Sequence, residues 1–189
     1  FIPFMECYHG ILSMQHRLSG QLTIGRHHID FEGGRGYIEK DWGESFPRTY
    51  IWVHSNHFKT TEASLSASFA YIPWLKTAFP GILASLWLNG EWHNFTTYNG
   101  AKLTRLELKL PHVLLEIRRK DWVLAIEVQQ AHSGTLRAPY EDSMQPVINE
   151  SRVSHTRVEL RHRQTRVFAD ESSIACLELY KPERLKEMG

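Results

Sequence analysis

In four separate stretches of the chain apolar and polar residues alternate with a period of two, and nothing else in the sequence constrains the fold as tightly. Leu106, Leu108 and Leu110 alternate with Arg105, Glu107 and Lys109. Val113, Leu115 and Ile117 alternate with His112, Glu116 and Arg118, and Trp122, Leu124, Ile126 and Val128 are interleaved with Glu127 and Gln129. Nearer the end, Ser154, Thr156, Val158 and Leu160 alternate with His155, Arg157, Glu159 and Arg161. A strand sends successive side chains to opposite faces, so each stretch reads as a strand with one face in a core. Asn89-Gly90 and Asn99-Gly100 can take the positive φ of tight hairpin turns, and Pro111 and Arg119-Lys120-Asp121 separate the next strands. Turns at this spacing predict an all-β protein, an antiparallel sandwich or barrel, and a meander of this kind closes readily into a small barrel with room inside for packed side chains or one apolar ligand. Helix is expected only as one turn at Trp74 to Phe79, stopped by Pro80, and as a short terminal element from Pro182 to Met188. No linker divides the chain, which predicts one domain over residues 1–180 with a tail at 181–189.

Composition removes several classes of function. The 22 Lys and Arg against 21 Asp and Glu leave a net charge of +1, which gathers no nucleic acid. Two cysteines, Cys7 and Cys176, support neither a disulfide framework nor a CxxC metal site. No apolar run approaches the roughly 20 residues that cross a bilayer, and the expected location is cytoplasmic, with peripheral membrane contact as the alternative. Phe1 enters in mid-pattern, which suggests a segment of something longer. Six Trp, seven Tyr and nine Phe are enough either to pack a β core or to line a cavity for an apolar ligand.

Chemistry is densest between Phe31 and Phe58, where Glu32, Arg35, Glu39, Lys40, Asp41, Glu44, Arg48, His54 and His57 stand among aromatics and glycines. On a strand, Tyr37, Glu39 and Asp41 share one face, while Ile38 and Lys40 share the other. Two neighbouring carboxylates oppose joint ionisation, so one can keep a proton and act as a general acid; ion pairing at a strand-to-loop junction is the equal alternative. His54 and His57, three apart, point to opposite faces of a strand, as do the adjacent His27 and His28, so no metal is expected. His9 fits a buried hydrogen-bonded role as well as a catalytic one. The glycines of GGRG fit no nucleotide loop, and no serine sits in a GxSxG elbow.

The block GRGYIEKDWGESFPRTYIWVHSNHF resembles the signature of the tocopherol cyclase family, an E-K-(D/N)-W-G followed by F-P, an aromatic-x-W and an Asn. Here these are Glu39, Lys40, Asp41, Trp42, Gly43, Phe46, Pro47, Tyr50, Trp52 and Asn56. The resemblance implies a lipocalin-like antiparallel β-barrel architecture in which the complete protein carries two related barrel halves, of which this chain is mainly the C-terminal one and the N-terminal half its missing partner. It also implies cyclisation of a prenylated hydroquinone to a chromanol, without cofactor or metal. Residue chemistry then offers Asp41, assisted by Glu39, as acid, Trp42, Tyr50 and Trp52 as π faces for a cation, and Lys40 or His54 as acceptor of the phenolic proton. Phe46 and Asn56 complete the expected binding set. A lipocalin-like carrier of an isoprenoid, quinone or fatty acyl chain is the competing expectation; it needs no buried acid, whereas an enzyme needs one at an enclosed apolar pocket. A third reading makes the block purely architectural.

Overall fold

The structure, a computed structural model, describes residues 6–60, 62–74, 77–140 and 143–187. Its strands in chain order are β1 (Cys7–Arg17), β2 (Gln21–Ile24), β3 (His27–Asp30), β4 (Arg35–Gly43), β5 (Thr49–Ser55), β6 (Ala63–Trp74) and β7 (Thr77–Leu88). They continue with β8 (Glu91–Thr96), β9 (Lys102–Lys109), β10 (His112–Arg119), β11 (Trp122–Gln129), β12 (Gly134–Tyr140), β13 (Ser143–His162) and β14 (Thr165–Tyr180). One short helix, α1 (Arg184–Glu187), follows Pro182 where a terminal helix is expected; Met188 lies outside the described residues. Every strand pairing is antiparallel.

Ten strands form one sheet in the order β8-β7-β6-β5-β14-β13-β11-β10-β9, with β12 joined to β13. β13 is long enough to hold two partners on one edge, β12 along Ser143 to Glu150 and β11 along His155 to His162. The two ends of the path, β8 and β9, are consecutive in the chain and linked only through the 3₁₀ turn Thr97–Asn99, Gly100 and Ala101. So short a link holds the end of β8 near the start of β9, which curls the sheet on itself in the manner of a barrel. Among the described residues side chains bridge this seam: the Arg119 guanidinium of β10 lies 5.5 Å from the Phe95 ring centre of β8, and His93 lies 5.2 Å from Trp122.

The alternation read in the sequence fills the inside of this curl. Leu65 and Leu86 (β6, β7), Leu115 (β10), Leu124 and Ile126 (β11), Leu160 (β13) and Leu177 (β14) belong to one continuous buried cluster. Their polar neighbours Arg157 and Glu127 face solvent. At the turns, Asn89 and Gly90 take φ of 50° and 85°, the positive values that a two-residue hairpin loop requires. Asn99-Gly100 closes no hairpin; it ends the 3₁₀ turn, with Thr96 and Asn99 capping each other. Phe95, fully buried in this core, sets a scale for its cohesion. Phe95→Ala is expected to cost about 3–5 kcal/mol in urea unfolding, and a loss below about 1 kcal/mol would show that this end of the core is not tightly packed.

Two expectations are corrected. Where a helical turn is expected from Trp74 to Phe79, Trp74 ends β6 and Thr77 to Phe79 begin β7, with Thr77 paired directly to Trp74; Leu75 and Lys76 lie outside the described residues. Pro80 is tolerated in the strand because β8 covers β7 only from Leu83 to Leu88, so the missing N–H falls where β7 is the sheet edge. Nor is the apolar cavity inside the barrel. The lumen is occupied by packed aliphatic and aromatic side chains, and the hollow lies on the outer face of the sheet.

Candidate active site

β5 is apolar on both faces, and that places the site. Ile51 and Val53 point into the barrel, which leaves Tyr50, Trp52 and His54 on the outside. On the neighbouring strands the same outer face carries Ser68 and Ala70 of β6 and Gly81 of β7, small residues that leave a depression. A Cβ at Gly81 would stand 2.4 Å from Ile72 Cδ1, so any larger residue there would intrude on the floor. Over this depression lies a two-stranded ribbon, β1 paired with β4 through Tyr8↔Trp42, His9↔Asp41 and Ile11↔Glu39. Tyr37 fastens the ribbon to the barrel: its hydroxyl is 2.9 Å from Ser66 Oγ of β6, and its ring stacks 3.8 Å from His54 of β5. A cavity of about 600 Å³ remains between ribbon and sheet, large enough for a ring and part of a prenyl chain.

Glu39, Asp41, Trp42, Phe46, Tyr50 and Trp52, six of the residues singled out in the sequence, line this cavity. Lys40, His54 and Asn56 do not. Lys40 is exposed on the other face of β4, its ammonium 5.5 Å above the Trp42 ring. His54 is half-buried, stacked between Tyr37 and Trp52. Asn56, also buried, points its amide at the Arg35 carbonyl 3.5 Å away. Sequence reasoning left His9 undecided, placed Tyr37 on the face of the two acids without giving it a role, and missed Glu178 altogether. His9 shows its role only through strand pairing, since it and Asp41 are 32 positions apart. Glu178 alternates with the core residues Leu177 and Leu179, a signal for the outer face that reveals no partner.

The acids differ in their surroundings. The Glu39 side chain is 22% exposed and that of Asp41 59%. Burial raises the Glu39 carboxyl above its ordinary range and Asp41 adds to this, against a 2.5 Å hydrogen bond donated by the Tyr37 hydroxyl and the charge of His9. The Trp52 indole N–H stands near enough to favour the Glu39 anion, yet completes no hydrogen bond of ordinary geometry. His9 Nδ1 is 2.6 Å from Asp41 Oδ1 and its Nε2 is 3.7 Å from Glu39 Oε2. Burial works against the imidazolium, but the Asp41 bond and the charges of Asp41, Glu39 and Glu178 outweigh it, so His9 keeps its proton above the usual imidazole range. Glu178 accepts a 3.0 Å hydrogen bond from the Tyr50 hydroxyl, and burial together with the charges of Glu150, Glu39 and Asp41 raises its carboxyl. Burial likewise lifts the Cys7 thiol to about 11, which keeps it protonated and unreactive.

One ligand atom each from His9, Glu39 and Asp41 lies within 4.8 Å of the others, close enough to share a cation, although the His9–Asp41 hydrogen bond already satisfies that pair. The site therefore offers clustered acids, one imidazole whose proton is held by its acidic neighbours and a surround of aromatic faces. His54 sets a pH limit on it. Burial first, then the nearby His57, holds its pKa at about 4, so the folded protein keeps it neutral. Between pH 6.5 and about 4 the unfolded chain binds the proton that the folded one refuses, and stability falls with pH through that window by up to roughly 3 kcal/mol. His54→Phe should flatten the fall of melting temperature from pH 7 to 4, and an unchanged pH profile would assign the effect elsewhere.

The family model described as tocopherol cyclase-like matches residues 1–180. The "Probable tocopherol cyclase, chloroplastic" of Oryza sativa subsp. japonica is 28% identical over 142 residues, 72% of this chain and 30% of that protein. The "Tocopherol cyclase, chloroplastic" of Zea mays is 27% identical over 164 residues, 84% of this chain and 34% of that protein. The chain thus spans about a third of the length of these curated relatives. No solved structure matches it, and no helix among the described residues is long and apolar enough to cross a membrane. With residues 1–180 of 189 covered by one family model, the chain belongs to the tocopherol cyclase-like family.

Proposed function

We propose that the cavity beneath the β1–β4 ribbon binds a prenylated hydroquinone and closes its chromanol ring by proton-initiated cyclisation. The observation that carries this reading is a half-buried carboxylic acid, Glu39, held above its ordinary pKa in a cavity whose walls include Trp42, Tyr50 and Trp52. A packed lipid carrier has no use for such an acid, while protonation of a trisubstituted alkene requires one. Glu39 is the better donor on these grounds. Its Oε2 takes the Tyr37 hydrogen bond, and the carboxyl lines the cavity, where a proton it holds can reach the alkene. Asp41, more exposed and bonded to His9, raises the pKa of the imidazole beside the donor. The tertiary cation that follows protonation meets the π faces of Trp52 and Tyr50, each contact worth about 0.5–2 kcal/mol. The change is an isomerisation: no electrons enter or leave, and the one proton delivered to carbon is matched by the one lost from oxygen.

Incubation of the protein with a prenylated hydroquinone, followed by chromatography and mass spectrometry, tests this directly. Chromanol is the expected product. Tight binding with the hydroquinone recovered unchanged would replace the enzyme with a carrier. Asp41→Asn should lower the His9 pKa measured by NMR and slow turnover less than loss of Glu39 does; a larger effect at Asp41 would make Asp41 the donor.

A further inference from the structure

We infer that Glu178 is the base that takes the phenolic proton as the ring closes, so that Glu39 and Glu178 form an acid–base pair across one cavity. The inference rests on the cyclase reading above and completes it: with Lys40 on the far face of the ribbon and His54 behind Tyr37, neither lines the cavity where a phenol would lie.

Three observations carry it. Glu178 lines the same cavity as Glu39 but stands on the floor, on β14, while Glu39 hangs from the ribbon above. Trp52 lies between them: it faces Glu178 in the β5–β14 ladder, and its indole N–H is turned toward Glu39. A prenyl tail folded over that ring presents its alkene to one carboxyl and its phenol to the other, as ring closure requires. Finally, Glu178 is oriented and half free. Tyr50 donates to Oε2, while Oε1 accepts no hydrogen bond among the described residues and is not sealed from the cavity. Burial and the cross-strand neighbour Glu150 make the carboxylate a stronger base than an exposed glutamate.

The steps balance. The alkene π pair takes the proton from Glu39, forming a C–H bond, leaving a tertiary carbocation and a Glu39 carboxylate. The phenol oxygen then forms the C–O bond to that carbon, and its O–H proton passes to the Glu178 carboxylate. The enzyme ends with the proton on Glu178 in place of Glu39, and exchange with water restores the starting state.

The two halves of this sequence separate in D₂O. The wild-type protein, as naturally expressed, should give chromanol carrying one deuterium. Glu178→Gln should cut chromanol formation by about 10²-fold or more while alkene protonation continues, read as deuterium in recovered hydroquinone or as tertiary alcohol from capture of the cation by water. Chromanol formation at the wild-type rate in Glu178→Gln overturns the assignment, and so does equal loss of chromanol and deuterium uptake in a folded variant. Should Glu178→Gln not fold, Glu178→Asp retains the charge one methylene short, and the same two readouts must again part company for the assignment to stand. If the wild type yields neither chromanol nor deuterated substrate, the cyclase reading itself fails and takes Glu178 with it.

Discussion

Replacing Glu39 with Gln should lower chromanol formation by about 10²- to 10⁴-fold while leaving affinity for the prenylated hydroquinone within a few-fold of wild type. Glutamine keeps the volume of the side chain and an oxygen to accept the Tyr37 hydroxyl, so the ribbon stays seated; what it lacks is the transferable proton. Single-turnover kinetics, with binding followed by quenching of Trp52, separates the two effects. An active Glu39→Gln would exclude it as donor, and a variant that no longer binds would make its role structural.

Gly43→Ala should unseat the ribbon and spare the barrel. Gly43 ends β4 with a φ of +147°, and a Cβ there would stand 2.2 Å from the Glu6 carbonyl oxygen and 2.8 Å from Cys7 Cα. The same carbonyl accepts hydrogen bonds from the Glu44 and Ser45 N–H groups, so the backbone has no slack to yield. Strain of this kind costs roughly 1–3 kcal/mol before the clash is counted, more than a two-stranded ribbon resting on a few side-chain ties can absorb. Hydrogen exchange should speed up at Tyr8, His9 and Lys40, ligand binding should be lost, and the exchange of the β10–β11 amides should not change. Equal protection of the ribbon in both proteins would show that the backbone relaxes around the new methyl group. Gly43 in the E-K-D-W-G block is thus a requirement of chain approach and carries none of the chemistry.

The alternation at Leu106 and Leu108 and at Trp122 to Val128 made the sheet legible, because each of those strands turns its apolar set inward, whereas Leu110, the last residue of the first series, lies past the end of β9 and is exposed in the turn. β5 was ambiguous for the opposite reason. Tyr50 to Val53 is apolar on both faces, so parity separates Ile51 and Val53 from Tyr50 and Trp52 without saying which pair is inside. That is decided by strands distant in sequence: β6 and β14 flank β5, and the β1–β4 ribbon covers its outer face. The carboxyl face of Glu39 and Asp41 was visible from the two-residue repeat, and so was the opposite direction of Lys40. His9 and Glu178 were not, since each joins the site through tertiary pairing, one from the start of the chain and the other from its last strand. The Trp74 to Phe79 turn was misread because Pro80 is a strong helix stop and also an acceptable edge-strand residue, and only the length of β8 distinguishes the two.

The central claim is that the reaction takes place on the outer face of the barrel, under the ribbon, and photo-crosslinking with a prenylated hydroquinone bearing a diazirine on its tail tests it most directly. Labelled peptides are expected to contain Tyr8 and His9, Glu39 to Phe46, Tyr50 and Trp52, and Glu178, with labelling competed away by unmodified hydroquinone. Labelling of the lumen residues Phe95, Leu115, Leu124 and Ile126 would place the ligand inside the barrel and contradict the account.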